Sequence, residues 1–189
     1  LFVFSQSRSA KFLAAVVAGL SSFYCTPALA SLFQAQEVKS ERFILVAAPI
    51  GDGSNSQLNI YEQVSDRRPC FARSGNKPTV VNPLLGTFDF TGICNRYIDS
   101  NGYSVRVGKR DFGSDMRLTV SHQAGEALLM GHSPDGLALL LARAGGSGSG
   151  FMELKFEPGW KLMRRHFGRR PLGHVYVYRE TMPEQKQAF

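Results

Sequence analysis

Within residues 160–170, Lys161, Arg164, Arg165, Arg169 and Arg170 stand around Trp160, His166 and Phe167. Guanidinium forks hold carboxylate or sulfate through paired N–H donors, and flat aromatic faces accept sugar rings, so the combination suits an acidic polysaccharide. Neither face of the run is cleanly apolar. The break in alternation at Arg164-Arg165 suggests a bulge or a strand end that turns one arginine outward beside the other. On the next strand His174, Tyr176 and Tyr178 share a face. If that face is exposed, the expected ligand site is Trp160, Arg164, Arg165, Arg169, Arg170 and Tyr176. If it is buried, the rings are core and the arginines a solvated hairpin. The sequence leaves both readings open.

Other chemistries have weaker footing. Asp99-Ser100-Asn101-Gly102 opens like a calcium loop, but Arg110 falls where the bidentate glutamate belongs. A type I′ turn at Asn101-Gly102 explains the same residues. His122, His132, His166 and His174 show none of the short spacings of a zinc site, so neither metal nor cofactor is expected. Gly131-His132-Ser133-Pro134-Asp135 brings Ser, His and Asp close in sequence, yet a triad needs convergence in space, and turn chemistry accounts for Ser-Pro-Asp-Gly. Glu153 and Glu157 form a glycosidase pair only if their separation in space allows it. The run Gly51-Asp52-Gly53-Ser54-Asn55-Ser56 lacks the Gly-Lys-Ser/Thr of a phosphate-binding loop and leads into a strand rather than a helix. No catalytic residue is assigned.

Residues 1–30 read as an export signal, with Arg8 and Lys11 as the positive flank, an apolar stretch over residues 12–24, and Ala28-Leu29-Ala30 as a small-x-small cleavage site. The stretch is shorter than the roughly 20 residues of a membrane span, and Ser21, Ser22 and Pro27 interrupt it. Cleavage is expected after Ala30 and takes Cys25 with it, leaving residues 31–189 as a single β domain with no membrane-spanning segment. Losing Arg8 and Lys11 from the chain's 22 basic residues leaves 20 against 15 acidic ones, which favours anionic partners. Export sets nucleic acid aside as a partner. The location follows as secreted, periplasmic or cell envelope.

The two remaining cysteines, Cys70 and Cys94, pair most simply as a disulfide in an oxidising compartment. Closing a loop of about 25 residues stabilises by roughly 3.5 kcal/mol through chain entropy. A redox-active or metal-ligating pair is the competing reading, and neither C-x-x-C spacing nor neighbouring histidines support it. The elements that must position these groups read as strands. Alternating or short continuous apolar runs occur over residues 43–50, 58–64, 103–107, 116–121, 127–130, 137–141, 151–156, 160–167 and 174–178. Residues 33–41 read as an ordered lead-in or a mobile arm, and residues 145–150 as a flexible loop. Nine or ten short strands with frequent turn signals predict an all-β, antiparallel sandwich or partly closed barrel.

Several stretches resemble a family of exported cyanobacterial proteins built on a domain of unknown function. These are Leu32-Phe33-Gln34, Tyr61-Glu62-Gln63 leading to Cys70, Asn82-Pro83-Leu84-Leu85, Asp89-Phe90-Thr91-Gly92-Ile93-Cys94, Asp99-Ser100-Asn101-Gly102-Tyr103, Glu157-Pro158-Gly159-Trp160 and Leu172-Gly173-His174-Val175-Tyr176. Phe71 stands where the family often carries Trp. The resemblance implies an envelope or extracellular location and supplies no activity or catalytic residue. The expected function is an exported, non-catalytic envelope or extracellular domain that holds an anionic polysaccharide or other envelope polymer through the basic hairpin. The alternatives are an envelope hydrolase whose site assembles only in the fold, and a purely structural envelope component.

Overall fold

A computed structural model describes residues 32–184. The expected export segment, residues 1–30, lies outside the described residues. Along the chain come β1 (Gln34–Glu37), β2 (Phe43–Ile50), β3 (Asn55–Gln63), β4 (Phe71–Ser74), β5 (Val80–Pro83), β6 (Cys94–Tyr97) and β7 (Tyr103–Val107). They are followed by β8 (Arg110–Asp111), β9 (Arg117–Gln123), β10 (Glu126–His132), β11 (Ala138–Ser147), β12 (Met152–Phe156), β13 (Lys161–Phe167) and β14 (Arg170–Arg179). The all-β expectation holds. The strand total is fourteen rather than nine or ten, because β1, β4, β5, β6 and β8 are too short or too polar to carry a readable alternation.

β11, β10, β9, β3, β2 and β12 are each bonded to the next, and β12 pairs back onto β11, which closes a six-stranded barrel. The closing contacts are narrow: Ala142 opposite Phe156 and Arg143 opposite Lys155 on one side, Ser56 opposite Val120 on the other. A second sheet runs β1-β13-β14-β7-β8. Its ladders are antiparallel except β14 on β7, which is parallel from Val175 opposite Tyr103 to Arg179 opposite Val107. A parallel pair needs a long crossover, and here the chain builds most of the barrel between the two strands.

β2 explains how the layers join. Its unbroken apolar run buries both faces: Phe43, Leu45 and Ala47 join the main core, while Ile44 and Val46 join a second cluster with Cys70, Cys94, Val81 and Leu85. Each fully buried aliphatic side chain contributes roughly 1.5–3 kcal/mol. Cys70 and Cys94 are bonded, and the excursion between them holds β4 and β5 at the end of the barrel sheet, where Pro83 costs no central ladder bond. Tyr103, Val105, Leu162, Val175 and Val177 of the second sheet complete the main core.

Two local expectations change. Residues 145–150 are not simply a flexible loop, since β11 continues to Ser147. Glycine is needed there for close approach: a Cβ on Gly146 would lie 2.8 Å from the Lys77 carbonyl carbon, and one on Gly148 2.6 Å from Pro78 Cγ. The turn at Asn101-Gly102 is not type I′, because neither residue has a positive φ. Instead the Asp99 carboxylate accepts from the Asn101 amide at 2.9 Å, and Gly102 has no room for a side chain, its Cβ position lying 3.0 Å from Tyr97 Cβ. Paired positive φ values occur at Ala124-Gly125, the two-residue turn joining β9 to β10. The lead-in is ordered as β1, the edge strand beside β13.

Candidate functional site

β13 alternates as a strand must, so its successive arginines point to opposite faces. Arg164 follows Leu162 toward the barrel. Its Nη2 donates to Glu62 Oε1 at 2.6 Å and its Nη1 to the Tyr97 hydroxyl at 2.8 Å, while that hydroxyl donates to Glu62 Oε2 at 2.7 Å. The Arg164 and Glu62 side chains are each 14% exposed. Burial opposes the Glu62 charge, but Arg164, Asn95 and Tyr97 outweigh it and hold the carboxyl below its ordinary value. Burial, together with Glu62, pushes the Tyr97 phenol up to about 12.

Arg165 turns the other way, onto the face shared by Tyr176 and Tyr178. The register between β13 and β14 shifts at this point, from Arg164 opposite Val175 to His166 opposite Pro171, so an irregularity is present, but it does not turn one arginine outward beside the other as expected: the two point to opposite faces and each is paired internally. Arg165 Nε donates to the Tyr176 hydroxyl at 2.6 Å and Nη2 to Asp111 Oδ2 at 2.7 Å. Its guanidinium lies 4.9 Å from the Tyr176 ring and 5.0 Å from the Phe33 ring. Arg106 lies over the same Tyr176 ring at 5.2 Å. The aromatic–guanidinium chemistry suggested by the sequence is real, but here the rings and cations recognise one another.

Asp111 gathers this network. Burial opposes its charge, but the Gly113 amide, the Tyr176 hydroxyl, Arg165 and the Ser104 hydroxyl outweigh it, so the carboxyl sits below its ordinary value. Ser104 Oγ is also 2.9 Å from His174 Nε2, and His174 Nδ1 donates to the Asn101 carbonyl oxygen at 2.8 Å. That carbonyl can only accept, so the neutral imidazole presents a bare Nε2, and the single Ser104 hydroxyl proton is shared between that nitrogen and Asp111 Oδ1 at 3.1 Å. Burial holds His174 below its ordinary value. Ser104, Asp111 and His174 thus converge in space, which their separation in sequence concealed. The arrangement differs from a nucleophilic triad: the carboxylate touches the serine rather than the imidazole, and Ser104 sits in a regular ladder, 3% exposed.

The sequence-stretch residues therefore divide. Trp160 and Tyr176 are buried at 6% and 0%, which corrects their expected role as exposed rings. Arg164 and Arg165 are occupied in internal ion pairs. Of the arginines in this stretch, Arg169 and Arg170, at the β13–β14 turn, are exposed without an ionic partner among the described residues. Beside them Phe167, opposite Arg170, is 52% exposed and packs edge-on against Phe33 at 6.5 Å. Of the other candidates, Ser133 bonds Asp135 within an exposed turn, Glu153 pairs with Arg73, and Glu157 pairs with Arg143. Among the described residues no three His, Cys, Asp or Glu side chains gather as metal ligands, and no helix is long and apolar enough to cross a membrane.

Acid is expected to weaken the fold in two windows. With its folded value lowered, His174 contributes stability that is full above about pH 6.5 and is lost as pH falls from there. Glu62 and Asp111, also lowered, contribute stability present above about pH 4 and lost as pH falls through their folded values. Urea midpoints across pH check this: His174→Gln should flatten the upper window and leave the lower one, and a midpoint unchanged from about pH 7 to 5 in the parent chain would contradict it.

The fold and site define a disulfide-stapled β-barrel domain whose second sheet carries an internal arginine–tyrosine network and a basic hairpin tip. The chain belongs to the family described as "Protein of unknown function (DUF3747)", which it matches over residues 10–182. No curated protein and no solved structure matches it.

Proposed function

We propose that the chain acts outside the cytoplasm, in the cyanobacterial envelope implied by its resemblance, as a non-catalytic domain that holds an anionic polysaccharide at the β13–β14 tip. One observation carries this reading: Arg169 and Arg170 lack ionic partners among the described residues and stand beside the exposed ring of Phe167. The ring offers a sugar face and the two guanidinium groups offer forks for carboxylate or sulfate. Arg164, Arg165 and Tyr176 are held in internal contacts behind the tip, and Trp160 lies buried at the other end of β13, so none of the four is expected to touch the polymer. The disulfide suits an oxidising compartment.

The test is sedimentation of residues 31–189 with isolated envelope polysaccharide and with peptidoglycan across a salt series, with released sugars measured in parallel. Binding is expected to weaken with salt and to fall about tenfold in Arg169→Ser/Arg170→Ser, as the loss of two exposed charge contacts implies. No binding at low salt ends this reading and leaves a structural component. Sugar release would favour the hydrolase alternative.

A further inference from the structure

We propose that a second site, separate from the hairpin tip, takes a small amphipathic monoanion, a carboxylate on an apolar body. Where the lead-in passes from β1 to β2, a cleft of about 450 Å³ opens between the two sheets. β2 contributes Phe43 and Leu45, β12 contributes Leu154 and Phe156, and the start of β13 contributes Trp160 and Leu162. A mainly apolar cleft of this size with a few polar groups at its edge has the character of a small-ligand site.

The charges on the cleft decide the ligand's sign. Lys161 is taken by Glu37, and Glu153 is taken by Arg73 at 3.1 Å, so those charges cancel in pairs. Lys155, which also lines the cleft, is exposed and has no anionic partner among the described residues. An apolar body in the cleft with its carboxylate at Lys155 would cover the Trp160 side and supply the missing anion. A cationic headgroup there would meet an unpaired ammonium, and a neutral one would gain nothing from it.

Trp160 is the chain's single tryptophan, so its emission reports the cleft directly. The experiment titrates residues 31–189 with dodecanoate, dodecanol and dodecyltrimethylammonium below their aggregation limits, with equilibrium dialysis of labelled dodecanoate as a second readout. Dodecanoate should bind saturably at one site, at least about tenfold more tightly than the ammonium compound. Lys155→Glu should abolish that preference for dodecanoate and leave dodecanol binding unchanged. Arg169→Ser/Arg170→Ser should bind dodecanoate like the parent chain, which separates this site from the polymer-binding tip. No saturable binding by either readout, equal affinity for all three headgroups, or indifference to Lys155→Glu would overturn the proposal.

Discussion

Arg164→Met is expected to lower the unfolding free energy by about 3 to 5 kcal/mol, measured by urea denaturation near neutral pH. The side chains of Arg164 and Glu62 are both 14% exposed, and removing the cation leaves the Glu62 carboxylate with only the Tyr97 hydroxyl and the Asn95 amide. The cost comes from the stranded charge rather than from the lost contact. Replacing Glu62 by Met in the same chain should therefore recover most of the loss, since a buried ion pair and an apolar pair of similar size differ little in stability. A single-variant loss under about 1 kcal/mol, the range of an exposed pair, would place Arg164 on the surface instead. Binding experiments that replaced all four arginines of the hairpin would confuse unfolding with lost affinity, so only Arg169 and Arg170 are suitable targets.

Cys70→Ser/Cys94→Ser is expected to cost roughly 3.5 kcal/mol through the freed loop alone. The native consequence reaches further than the loop. Cys70 and Cys94 are 0% and 2% exposed and lie at the centre of the cluster that receives Ile44, Val46 and Leu85, so two buried hydroxyls also replace sulfur in an apolar setting. Denaturation curves of the parent chain with and without reductant should differ by a similar amount. Intact mass offers the independent check: an alkylating agent should add to the two residues only after reduction, and uptake without it would contradict the bond.

Much of the barrel was readable because burial and alternation are recorded locally. The unbroken apolar run of β2 announces two covered faces, and the apolar runs at 127–130 and 137–141 pair with each other within β10 and β11. Pairing partners were not readable. The parallel contact of β7 with β14 joins strands separated by most of the barrel, and period-two alternation carries no information on which strand lies alongside. The glycines of residues 146 and 148 looked like flexibility because the Lys77-Pro78 segment they press against is distant in the chain.

The site was half legible for the same reason. A run of arginines reads identically whether its partners are solvent or buried carboxylates. Glu62 stands 102 residues from Arg164 and Asp111 stands 54 from Arg165, so neither partner could be assigned from spacing. Tyr176 alternates correctly for either face, and only the guanidinium groups of Arg165 and Arg106 over its ring show that this face is closed. Gly168, at φ +56°, ends β13, and β14 begins at Arg170, earlier than the apolar run at 174–178 shows, which leaves Arg169 and Arg170 exposed at the turn.

Mapping of backbone amide shifts by NMR, as a uronate oligosaccharide is added to residues 31–189 at low salt, tests the central claim most directly. The account expects changes centred on Phe167, Gly168, Arg169 and Arg170, with Phe33 beside them, that fade as salt is raised. Changes centred instead on Ser104, Asp111 and His174, or no changes at low salt, would contradict it.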